Sequence, residues 1–77
     1  MALKKKDECE TIIRHLCQEW RNTCGFADTP NERLSFSTFY SWVERHYSSY
    51  LRFRTTTSVR YDVEFWFEQE FGLTWRR

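Results

Sequence analysis

Glycine and proline are nearly missing from this 77-residue sequence, which holds only Gly25, Gly72 and Pro30 of the two types. So few exclude a glycine-rich phosphate loop, whose close backbone approach to the ligand needs several glycines in one short stretch. They also weigh against tight β-hairpins, because two-residue turns use Asn-Gly, Asp-Gly or Gly to reach positive φ cheaply. Cysteine is scarce too. Cys9, Cys17 and Cys24 form an odd set with no C-x-x-C pair, unlike the larger even set of a disulfide scaffold. They are expected to be reduced thiols in a cytoplasmic protein.

Long apolar runs are absent as well. No stretch approaches the roughly 20 apolar residues needed to cross a bilayer. None follows Ala2-Leu3-Lys4-Lys5-Lys6 as a secretory signal would require, so neither export nor a membrane partner is expected. The net charge of +1 lacks the broad basic footprint of a domain dedicated to nucleic acid.

What the sequence has instead is rings. Four Trp, four Tyr and seven Phe make 19% of the chain aromatic, and such side chains bury large apolar areas per residue. This compensates for the poor surface-to-volume ratio of a small domain. With 40% hydrophobic and 30% charged residues, the chain is too apolar for disorder. Its length suits one domain, 1–77, with a flexible basic arm over 1–6 and a tail over 73–77.

Periodicity predicts three helices. Over residues 8–24, Cys9, Ile12, Ile13, Leu16, Cys17, Trp20 and Cys24 share one arc at about 100° per residue. Asp7 is placed to cap that helix with Glu10 reaching back, and Gly25 stands where a left-handed cap belongs. Thr29-Pro30-Asn31-Glu32 resembles a small capping box, predicting one helical turn over 30–34. Ser35 can cap a second helix, 36–51, with Leu34 and Phe39 as its hydrophobic staple. Its apolar arc runs from Phe39 and Tyr40 through Trp42, Val43 and Tyr47 to Tyr50 and Leu51, with His46 inside it.

The third segment is ambiguous. Val59, Tyr61, Val63, Phe65 and Phe67 alternate as in a strand, and an α+β alternative pairs them in a β-hairpin over 51–67. Thr55-Thr56-Thr57-Ser58 supplies no residue suited to positive φ, and the alternation fails at Trp66 and at Gln69-Glu70. Ser58 as N-cap, Asp62 near the positive helix end and Gly72 past the last turn favour a helix over 58–71. The expected fold is therefore an all-α three-helix domain.

Few residues carry a pattern suited to chemistry. One helix spreads Cys9, Cys17 and Cys24 over about 22 Å, too far to converge on zinc. His46 with Cys17 or Cys24 would need a third group to orient the imidazole. The pairs Glu64/Glu68 and Glu8/Glu10 read as a solvated acidic face unless one carboxyl is desolvated. No enzyme, metal or cofactor is expected.

Two surfaces remain. Arg52, Arg54 and Arg60 bracket the threonine-rich turn, where helix-start amides and hydroxyls could hold a phosphate. With Lys4-Lys5-Lys6 and Arg76-Arg77 they outline a nucleic-acid-binding module. As a recognition helix, however, 59–71 would bring Asp62, Glu64, Glu68 and Glu70 toward phosphates. The stronger expectation is a protein partner or a second copy of the chain, held by Tyr61 and Phe65 as anchors with Glu64 and Glu68 as an acidic rim. A small regulator or adaptor is the expected role, and the short reading frame would suit an accessory protein of a phage or other mobile element.

Overall fold

Apolar stripes on three segments find one another in a computed structural model that describes residues 5–76. The helices are α1 (Lys6–Thr23), α2 (Phe36–His46) and α3 (Val59–Glu70), with short 3₁₀ turns at Asn31–Arg33, Ser48–Leu51 and Thr74–Arg76. The all-α three-helix expectation holds, and the hairpin alternative over 51–67 does not: Val59–Glu70 is helical throughout.

Local chemistry explains the helix ends. Ser35 and Ser58 cap α2 and α3, each hydroxyl accepting the amide three residues on, from Thr38 at 3.3 Å and from Tyr61 at 3.1 Å. The last turn of α1 closes with the Phe26 amide on the Arg21 carbonyl at 3.0 Å, and that of α3 with the Leu73 amide on the Glu68 carbonyl at 2.7 Å. Both closures turn through a glycine at positive φ, Gly25 at 83° and Gly72 at 67°, a backbone shape that a Cβ disfavours.

Three boundary expectations are corrected. Asp7 does not cap α1. The helix starts one residue before it, at Lys6, with no side-chain cap, and the Lys6 ammonium stands 3.4 Å from the Asp62 carboxylate of α3. Residue 6 therefore belongs to the helix rather than to a flexible arm, and residues 1–4 lie outside the described part. The second helix stops at His46 instead of 51. Tyr47 leaves helical geometry at φ −140°, where Tyr47-Ser48-Ser49-Tyr50 combines weak helix formers with serines that compete for backbone hydrogen bonds. At Pro30 no side chain caps the 3₁₀ turn. The Asn31 amide instead donates to the Phe71 carbonyl at 2.9 Å.

The core is one contiguous aromatic-rich cluster in which Ile13, Leu16, Trp20, Phe39, Val43, Val63, Phe67 and Leu73 are buried. Phe67 sits at its centre, with ring centroids 4.9 Å from Phe71, 5.4 Å from Phe39, 5.6 Å from Phe36 and 6.0 Å from Trp20. These offset and edge-on spacings are the favourable ones for ring pairs. Along the α1–α3 seam, Arg14 meets Glu10 at 2.9 Å and Glu70 at 3.7 Å and also donates to Gln69. Arg21 fixes the loop after α1 by donating to the Phe26 and Thr29 carbonyls at 3.3 and 2.9 Å.

Candidate functional site

The α3 residues expected to meet a partner do not share one environment. Tyr61 is exposed at 48%, while Glu64 and Phe65 are half-buried. Glu68, expected on a solvated rim, is buried at 9%. After α3 the chain reverses at Gly72, with the Leu73 amide bonded to the Glu68 carbonyl and Leu73 fully buried. Leu73 supplies the apolar contact expected beyond the cap. Trp75 follows it and stays 69% exposed. Leu73 and Trp75 are both large and apolar and only two residues apart, yet one is buried and the other exposed. The exposure of Trp75 depends on where the 3₁₀ turn Thr74–Arg76 sits, which no local pattern encodes.

The basic turn keeps its arginines at the surface: Arg52, Arg54 and Arg60 are all exposed. Arg60 reaches across to α2, its guanidinium 5.2 Å from the Phe36 ring centroid and 5.1 Å from that of Tyr40. The hydroxyls foreseen for a phosphate are already engaged. Thr55 and Thr57 both donate to the Asp62 carboxylate, Thr57 at 2.7 Å, and the Lys6 ammonium stands 3.4 Å away. Burial pushes the Asp62 carboxyl up, but the two hydroxyls and Lys6 outweigh it and hold the group below the ordinary aspartate value. An internal carboxylate thus fills the place assigned to an external anion, and an incoming phosphate would meet its charge.

The cysteines divide by exposure. Cys9 and Cys17 are buried, and Cys24 is exposed. Burial, with Glu70 adding to it, pushes the Cys17 thiol far above the ordinary range, which removes nucleophilic character at neutral pH. His46, expected in the apolar arc, is exposed instead. With α2 ending at that residue, its ring lies 5.7 Å from Trp42 at the helix end. Cys17 in the core and His46 in solvent do not form a nucleophile–base pair.

Two open grooves flank α1. One, of about 430 Å³, is lined by Glu8, Thr11, Ile12 and Tyr50. The other, of about 490 Å³, runs between the end of α1 and α2, lined by Trp20 and Phe26 and by the α2 residues Ser37, Ser41, Trp42 and Arg45. Cys24 also lines it. Ser37, Ser41 and Arg45 follow one another at four-residue spacing along α2. Their spacing shows one stripe, while Trp20 and Phe26 are brought to it by α1 and by the chain after Gly25.

No protein-family model, curated protein or solved structure matches this chain.

Proposed function

We propose that this protein is a small non-enzymatic binding module, a regulator or adaptor that docks another protein on the outer face of α3 and the C-terminal return. The observation carrying this reading is the exposure of Tyr61 at 48% and Trp75 at 69%, on two elements that pack against each other. Tyr and Trp are enriched among the residues that dominate binding energy. Phe65, half-buried between solvent and core, extends the apolar surface, and half-buried Glu64 gives it an acidic neighbour. Arg52 and Arg54, exposed on the turn before α3, provide a charged flank that would orient a partner of opposite sign.

The test is capture from the native cell with the immobilised protein, comparing wild type with Tyr61→Ala/Trp75→Ala and with Arg52→Gln/Arg54→Gln. A protein retained by wild type and lost with the aromatic pair, while the unfolding midpoint stays within a few degrees, supports the reading. Unchanged capture by the aromatic variant overturns it. Retention of nucleic acid that falls steeply with salt and disappears with the arginine pair would replace it with the nucleic-acid reading.

A further inference from the structure

We infer that the groove between the end of α1 and α2 binds a small aromatic carboxylate, independently of the α3 face, with which it shares no residue. The ring side is held in place by the core. Trp20 is buried, with its ring 4.8 Å from Phe26 and 5.4 Å from Phe39. Trp42 packs 6.3 Å from Phe39 and 5.4 Å from Tyr47. Trp20 backs the groove from within the core, so a flat ligand would meet the half-buried Phe26 and Trp42, rings that lose little freedom on binding, which lowers the ordering cost. The spacings at which rings attract, about 4.5–7 Å between centroids, suit an inserted aromatic.

The polar residues of α2 set the charge. Ser37, Ser41 and Arg45 recur at one-turn intervals on α2 and are all exposed. The stripe spans about 12 Å by the rise of a helix, long enough to accommodate a fused ring bearing an acid group. Among the described residues no acidic side chain lines the groove, and Arg45 is the one cationic lining residue. Among the described residues none forms an ion pair with Arg45. A guanidinium offers two parallel donors to a carboxylate, and hydroxyls on the same stripe add donors beside it. A single cation matches a monoanion better than a phosphate dianion. The volume of about 490 Å³ falls within the roughly 300–1,000 Å³ of ordinary ligand pockets.

The probe is naphthoate, with naphthylmethanol as its neutral counterpart, titrated into the intact protein and followed by amide and indole NMR shifts. Alkylation of Cys24, the exposed thiol in the groove, gives a second readout. Naphthoate should produce saturable shifts at the Trp20 and Trp42 indoles and at Ser37 and Ser41, and should slow Cys24 alkylation. Naphthylmethanol should bind about tenfold more weakly, and Arg45→Gln should weaken naphthoate by about the same factor, as expected for loss of a charge-assisted hydrogen bond. Ser41→Phe should fill the groove and abolish both responses. The site is wrong if naphthoate moves none of these signals at millimolar concentration. The charge assignment is wrong if acid and alcohol bind equally or if Arg45→Gln binds like wild type.

Discussion

The Thr57 hydroxyl donates to the Asp62 carboxylate at 2.7 Å, closing the turn that enters α3 onto the first turn of that helix. Thr55 donates to the other carboxylate oxygen, and Lys6 brings its charge from the start of α1. One carboxylate therefore joins the turn and two helices. Asp62→Ala should cost about 2 kcal/mol, since it strips two hydroxyls and an ammonium of their charged acceptor. Urea denaturation of the variant against wild type measures the loss.

The same carboxylate predicts a pH dependence. Its folded-state pKa lies below the ordinary value, so its contribution is complete above about pH 4 and disappears as pH falls through the depressed folded value. Asp62→Asn should flatten that part of the acid limb. Denaturation midpoints measured from neutral to strongly acidic pH on both proteins test this, and parallel curves would contradict it.

Arg60 over the Phe36 and Tyr40 rings ties the start of α3 to α2. Arg60→Ala should destabilise by about 1 kcal/mol, with Arg60→Lys recovering only part, because an ammonium lacks the flat face that stacks on a ring. Full recovery by lysine would assign the effect to charge alone.

Gly72→Ala should cost about 1 kcal/mol although a Cβ there meets nothing within 4 Å. The penalty arises from the backbone at φ 67° rather than from a clash. In a domain of this size it lowers the thermal midpoint by roughly 4–8 °C. Asn, which tolerates the left-handed region, should lose less.

Phe67 touches rings from α1 and α2 and from its own helix end. Phe67→Ala should cost about 3–5 kcal/mol and leave the native state barely populated. In that variant Cys9 and Cys17 should become reactive to thiol reagents, whereas in wild type only Cys24 reacts promptly. Mass spectrometry of a timed alkylation separates the two cases.

The parts of this fold legible in the chain are those governed by neighbours within about one helical turn. Ser35 and Ser58 accept amides three residues ahead, and Gly25 and Gly72 reverse the chain where apolar periodicity ends. The ambiguity of residues 58–71 yields to helix for a local reason, since no turn residue before it could support a hairpin. Most of the misplaced features depend on how the elements assemble. Glu68 is buried although its spacing from Glu64 suggests a solvated acidic face. The Thr55 and Thr57 hydroxyls look available to a phosphate until Asp62 and Lys6 converge on them. The early end of α2 at His46 was within reach, since weak helix formers follow it, but the continuing apolar arc masked the break.

By itself the sequence determined three helices, their serine caps and glycine stops, and an aromatic core, because hydrophobic spacing and backbone preference act over a few residues. Tertiary structure alone decided which rings and charges face solvent, placing Trp75 and Arg45 outside and Glu68 within. That choice depends on how whole helices cross and return, and burial is a property of the assembled surface rather than of any one segment.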